Sequence, residues 1–172
     1  MRPSVASPVS LDAVIGLGSN LGDRRATLQS AARAVAALGT LLGASPTYES
    51  RAVGPPQPDY LNAAVRLRAV IEPPALLELL LGIERDHGRE RRERWGPRTL
   101  DLDLLWIDAL AVRTARLVVP HPCLLERPFA LRPLLDVAPD ARDPASGERY
   151  ADRLATLGEA GLRRHSPPLV GA

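Results

Sequence analysis

Lysine is missing from this chain, and all 22 of its Lys/Arg-type cations are arginines. That absence removes the phosphate-loop lysine, the Schiff-base lysine and the lysine general base as mechanisms. Any anion bound here is held by guanidinium forks, backbone amides or a metal. Cysteine is almost as scarce. Cys123 alone closes no internal disulfide and builds no cysteine zinc cluster, which fits a reducing compartment. No apolar run approaches membrane-spanning length, and residues 1–10 hold two prolines and one arginine with no apolar signal core. The expectation is a cytoplasmic, non-membrane protein with a loose N-terminus over 1–10. A net charge of only +2 provides no broad field for nonspecific nucleic-acid binding.

What is present is an ordinary globular composition, 45% hydrophobic and 24% charged over 172 residues, enough for one core and too little for two full domains. A single domain is expected over 11–160, with 161–172 a frayed tail. Leu11 to Leu17 reads as a strand, and Gly18-Ser19-Asn20 as the turn into a helix from Arg24 to Leu38, capped by Asp23 or Asn20 and stopped at Gly39. Leu41 to Glu49 reads as a second strand and the proline-rich Ser50 to Pro58 as a loop. From Asp59 the alternation of Leu61, Ala63, Val65 and Leu67 with polar residues has the period of a half-buried strand. Pro73-Pro74 opens a second helix with Leu76, Leu77, Leu80 and Ile83 at helical spacing. Leucine alternates with aspartate from Thr99, and short helices follow a proline-rich connection. The order β-α-β-β-α-β predicts an α+β, ferredoxin-like fold: an antiparallel sheet backed by helices on one face, a free opposite face, and a C-terminal extension.

Three constellations carry chemistry. Asp101 and Asp103 are two apart on a strand, so both carboxylates leave one face while Leu100, Leu102 and Leu104 enter the core. Close carboxylates repel unless a cation joins them, and magnesium takes a few carboxylates while leaving positions for water and phosphate; the bland alternative is a solvated strand face. The run from Arg85 to Arg98 gathers guanidiniums around Trp95 directly before that strand, which suits a polyphosphate, although glutamates within it also pair locally. Tyr60 and Phe129, two of very few aromatics, sit beside polar residues, a placement that suits stacking on a flat heterocycle with Asn62 on its edge, or plain core packing. His121 between two prolines is a phosphate contact or a turn cap, and Glu84 is a helix-face ion pair or a ligand contact. The glycines of Gly16-Leu-Gly18-Ser19-Asn20-Leu21-Gly22-Asp23 fit neither nucleotide fingerprint and read as a tight turn, with Asn20 structurally hydrogen-bonded.

Assembled, these phrases resemble the hydroxymethyldihydropterin pyrophosphokinase family. The matching pieces are Gly16 to Asp23, Gln57 to Ala64, Gly88-Arg89, Arg94 to Leu105, and Val119 to Pro122 with Arg127 and Phe129. The resemblance implies transfer of pyrophosphate from ATP to 6-hydroxymethyl-7,8-dihydropterin, with Asp101 and Asp103 holding two Mg²⁺ ions against the ATP phosphates. It implies that Arg89, Arg91, Arg98, His121 and Arg127 contact the nucleotide, Arg89 and Arg98 being catalytic. Glu84 joins the nucleotide set, with Leu104 and Arg116 near the adenosine. Tyr60 and Phe129 would sandwich the pterin, Asn62 and the backbone near Ser50 and Val53 would bond its edge, and Trp95 would close over both substrates. Arg51 and Leu81 depart from the common pattern. A monomer acting on ATP and a pterin, without nucleic-acid or membrane partners, is the expectation. The rival is a ferredoxin-like RNA-binding module using the arginine loop, but its paired strand aromatics are missing.

Overall fold

In a computed structural model the described residues are 10–88 and 96–171; expectations for the N-terminal 1–9, and for Arg89, Arg91 and Trp95, fall outside them. Strand β1 (Leu11–Ser19) leads into helix α1 (Arg24–Ala36), and Asp23 caps the helix by accepting from the Ala26 amide at 3.0 Å. The expected second strand is two. β2 (Thr40–Ala44) and β3 (Thr47–Ser50) are separated at Ser45-Pro46, because Pro46 has no amide to donate to a ladder. Ser45 instead pairs with Ala64 through its own amide (2.9 Å) and by accepting the Ala64 amide on its hydroxyl (2.8 Å). β4 (Tyr60–Ala69), α2 (Pro73–Asp86) and β5 (Asp101–Ile107) complete the β-α-β-β-α-β order.

β1 lies between β4 and β5, antiparallel to both, and β4 pairs on its far side with β2 and β3. This is the antiparallel ferredoxin-like arrangement expected. One face carries Ile15, Leu17, Val65, Leu67, Leu102 and Leu104, packed under Leu28, Ala32 and Val35 of α1 and Leu76 and Leu80 of α2. The opposite face is not wholly free, as the sequence reading had it. Val14, Ala64, Leu105 and Trp106 are apolar on that side, and α3 (Pro128–Val137) with α4 (Tyr150–Leu157) covers them through Leu131, Leu134, Tyr150 and Leu154. The apolar run Leu104 to Ile107 is buried because both of its faces are roofed.

A further correction concerns the tail. The residues expected to fray form β8 (Leu162–Ser166), an antiparallel edge strand on β3, and Leu169 is buried beyond it. Charged and polar side chains suit a solvent-facing edge; what recruits them is the open edge of β3, a tertiary cause. A short hairpin, β6 (Val112–Arg113) with β7 (Val118–Val119), lies beyond β5. The part of the second face that α3 leaves uncovered, above β1, β4 and the start of β5, is where the candidate residues meet.

Candidate active-site cleft

The uncovered part of the sheet is the floor of a cleft of about 300 Å³, within the size of small-ligand sites. Its floor is bare. Gly16 is inside β1, within the strand read from sequence, and Gly18 extends that strand rather than forming the expected turn; they face upward opposite Ala64 and Asn62 of β4 on one side and Asp103 and Asp101 of β5 on the other. Of the glycines in that phrase, Gly22, at φ 64°, serves the turn.

One end of the cleft is built for a flat, polar-edged molecule. Tyr60, Phe129, Val53, Ser50 and Asn62 all line it. The Asn62 amide group donates to Ser50 Oγ (2.9 Å) and to the Tyr48 carbonyl (3.3 Å), so Oδ1 is the atom presented toward Gly18 and the cleft. Asn62 therefore offers an acceptor, and a ligand edge bound there must carry a donor. Phe129 is in the first turn of α3, whose N-terminus opens at the cleft with the Arg127 guanidinium 5.8 Å from the Phe129 ring centroid. That helix end and that cation both favour an anion.

The other end is charged. Asp101 and Asp103 project from β5 to the cleft, with side chains 23% and 37% exposed, so both carboxylates are reachable from solvent. Arg98 donates to Asp101 Oδ1 at 2.8 Å. Burial opposes the Arg98 charge, but the neighbouring Asp101, its hydrogen bond, and the charges of Tyr60 and Asp103 outweigh it and raise the Arg98 pKa. His121 is held by its own amide on the Leu105 carbonyl (2.9 Å). Its Nδ1 accepts from the Cys123 amide at 3.2 Å, which leaves the ring proton on Nε2, 3.9 Å from Asp103 Oδ1. Burial, then the charge of Arg127, pushes its pKa below the ordinary value, against the pull of Asp101. A neutral imidazole with an N–H aimed at the carboxylate end is a donor to oxygen.

Asn20 joins the two ends. It is 2% exposed, and its Nδ2 donates to Gln57 Oε1 (2.9 Å) and the Pro58 carbonyl (3.0 Å), while Oδ1 accepts from the Arg98 amide (2.8 Å) and its own amide donates to the Arg98 carbonyl (3.2 Å). The structural role read from sequence is borne out, and the link it makes between the Gln57-Pro58 segment and the Arg98 backbone is new.

The cleft thus gathers Ser50, Val53, Tyr60, Asn62, Arg98, Asp101, Asp103, His121, Arg127 and Phe129. Three expected nucleotide contacts are elsewhere. Glu84 is 2% exposed beneath β5, accepting the Leu102 amide at 2.7 Å, so it braces the aspartate strand. Leu104 points into the α1/α2 core, as its position one residue from Asp103 on a pleated strand requires. Arg116 lies at the surface, its side chain 76% exposed, paired with Glu78 of α2. Sequence reasoning missed Gly16 and Gly18 as cleft floor, although their spacing of two inside an apolar run is a same-face signal; Arg51 and Leu105 also line the cleft.

Comparisons with known proteins agree on one family. The description 7,8-dihydro-6-hydroxymethylpterin-pyrophosphokinase (HPPK) matches residues 14–139. A 2-amino-4-hydroxy-6-hydroxymethyldihydropteridine pyrophosphokinase of Synechocystis sp. is 50% identical over 141 residues, 79% of this chain and 71% of that one. The Methylorubrum extorquens protein of the same name is 40% identical over 155 residues, 88% and 97% of the two chains. Among solved structures, an HPPK-DHPS in complex with substrates superposes with a TM-score of 0.69 at 14% identity over 87% of this chain. The chain spans 43% of the length of that structure's chain, and the likeness concerns the fold.

Proposed function

The chain belongs to the 7,8-dihydro-6-hydroxymethylpterin-pyrophosphokinase family, and from that premise we propose that the cleft over β1 is where its two substrates meet. The reaction is transfer of pyrophosphate from ATP to hydroxymethyldihydropterin in folate biosynthesis. The observation that carries the assignment is the juxtaposition on one floor of an aromatic and amide end with a dicarboxylate and guanidinium end.

The pterin ring lies between Tyr60 and Phe129 with a donor edge on Asn62 Oδ1, and the segment of Ser50 and Val53 closes that side. The polyphosphate occupies the Asp101/Asp103 end, where Arg98, Arg127 and the His121 N–H neutralise or donate to its oxygens. Magnesium fits this donor set. No group of three His, Cys, Asp or Glu side chains suited to a metal occurs among the described residues, and two half-open carboxylates match an ion that draws its remaining ligands from water and phosphate. Bound with ATP, magnesium would offset the charge of the polyphosphate and orient it. The hydroxymethyl oxygen then forms a bond to the β-phosphorus as the bond from that phosphorus to the α-phosphate bridging oxygen breaks, AMP leaves, and the hydroxyl proton is lost to solvent. Positioning and charge neutralisation carry such transfers, so no strong base is assigned. Arg89, Arg91 and Trp95 are proposed to complete the closure over the substrates, and Glu84 to act through its brace on β5. The enzyme works as a monomer in the cytoplasm.

Incubation with ATP, magnesium and the pterin tests the reading: pterin-dependent AMP is expected, and ADP or no pterin-dependent product would refute it. Asp101→Ala and Asp103→Ala are each expected to remove nearly all turnover while circular dichroism and melting stay close to wild type. A near-wild-type rate in either variant would overturn the metal assignment.

A further inference from the structure

The cleft wall running from Ser50 to Tyr60 is held from behind. Ser50↔Tyr60 is the last pair of the β3–β4 ladder, and beyond it the two strands part into the segment that carries Arg51 and Val53. Arg24, the first residue of α1, spans that parting on the face away from the cleft. Its Nη1 donates to the Asp59 carbonyl and its Nη2 to Glu49 Oε1, each at 2.8 Å. The second oxygen of Glu49 is taken by Arg163 of β8. Glu49 is 14% exposed between these two guanidiniums, whereas Arg163 is 76% exposed. The hydrogen bond from Arg163, then that from Arg24, hold its pKa below the usual carboxylate range.

We propose that Arg24 is a positioning residue for the heterocycle-binding wall: through Glu49 and the Asp59 carbonyl it fixes the separation of β3 and β4 where the wall starts and ends. The inference rests on the reading of this cleft end as the pterin site. Both of its partners adjoin residues that face the cleft. Glu49 precedes Ser50, whose hydroxyl sets the plane of the Asn62 amide, and Asp59 precedes Tyr60, whose ring is a cleft wall. A shift at either end therefore moves a recognition atom directly. Exposed ion pairs alone contribute little, but this fork crosses two strands, one of its bonds ends on a carbonyl, and its carboxylate is mostly removed from water. The arrangement also gives β8 a function, since its Arg163 holds Glu49 from the other side.

The test is steady-state kinetics on Arg24→Ala, Arg24→Lys and Glu49→Gln, varying pterin and ATP separately, with melting curves alongside. Arg24→Ala is expected to raise the pterin KM about five- to tenfold, the loss of one or two net hydrogen bonds, with the ATP KM within about twofold of wild type. Arg24→Lys should recover part of the loss, because an ammonium reaches one partner but cannot fork to both. Glu49→Gln, nearly isosteric, should fall between them and keeps the test available if the alanine variant folds poorly. An unchanged pterin KM would overturn the proposal. So would a parallel rise of both KM values with a falling Tm and no recovery by lysine, which describes general loosening. A wild-type protein that forms no AMP would sink the functional reading and this proposal with it, whereas an active wild type with indifferent Arg24 and Glu49 variants sinks the proposal alone.

Discussion

Replacing Asn20 with alanine should cost stability and catalysis together, in amounts that follow from its bonds. The side chain makes three hydrogen bonds, two donated across to Gln57 and Pro58 and one accepted from Arg98, at 2.8 to 3.0 Å in a 2%-exposed position. At about 0.5–1.5 kcal/mol net for each bond, the loss is about 2–4 kcal/mol, or roughly 5–15 °C in Tm for a chain of this size. Because the bonds join the Gln57-Pro58 segment to Arg98, kcat/KM should fall about ten- to hundredfold through misplacement of the two ends. Asn20→Asp sharpens the test. The carboxylate keeps the Arg98 bond but sets a charged oxygen against two acceptors, so the variant's carboxyl pKa rises above its unfolded value. A group raised in this way contributes most below the unfolded pKa and loses that contribution as pH rises through the folded one. The aspartate variant should therefore lie furthest from wild type near neutrality and approach it as pH falls toward about 4. Urea unfolding of wild type and both variants across pH, with matched kinetics, measures all of this. A loss below about 1 kcal/mol for the alanine variant, or an aspartate variant indifferent to pH, would refute the account.

Three further outcomes are expected. Gly18→Ala should leave stability unchanged or slightly raised, since its methyl would meet Tyr60 Cδ1 at 3.5 Å and Asn62 Oδ1 at 3.7 Å, ordinary contacts, while weakening pterin binding by narrowing the floor; Gly39→Ala, whose methyl would stand 2.3 Å from the Arg68 carbonyl oxygen, should lose about 1–3 kcal/mol or more. Pterin fluorescence titration and thermal melts separate the two, and equal pterin affinity in Gly18→Ala would contradict the floor assignment. Tyr48, buried and hydrogen-bonded to Asp136 at 2.7 Å, has its pKa pushed up to about 12, by burial first and then by that bond and its charge. Its contribution should be intact below the ordinary tyrosine value near 10 and disappear as pH rises toward 12. Tyr48→Phe should flatten that alkaline loss in a melting series, and a Tyr48 phenol that ionises near its ordinary value in the folded protein would be the contrary result.

The aspartate strand was legible because its alternation is written in residue types: leucine at Leu100, Leu102 and Leu104, carboxylate at Asp101 and Asp103, with no partner needed to see which face each takes. The two-helix backing was legible from helical spacing for the same reason. β8 was not, since Leu162 to Ser166 has no apolar period, and its strand geometry comes from the vacant edge of β3. The division of β2 from β3 was hidden for a related reason, because Ser45 replaces the missing Pro46 rung with bonds to Ala64 that only the pairing of β4 makes available. The sequence leaves Glu84 between a helix-face ion pair and a ligand contact, because the buried Leu102 amide that it accepts from is not written in helix periodicity.

Gly16 and Gly18 show a different limit. In a linear sequence a glycine signals backbone freedom, so a glycine-rich phrase before a helix reads as a turn. Here both lie within an extended strand, and what matters is the side chain they lack. Opposite Gly16 stand Ala64 and Asp103, and opposite Gly18 stand Asn62 and Asp101. At Gly18 the missing side chain leaves the strip between β4 and β5 open, so that a ligand held at Asn62 has a path to Asp101 about 10 Å away across two strand spacings, whereas the space over Gly16 is taken by Leu105, 2.9 Å from where a Cβ would stand. The missing side chains have meaning only once their neighbours are known, because the cleft is defined by atoms of three strands and emptied by the middle one.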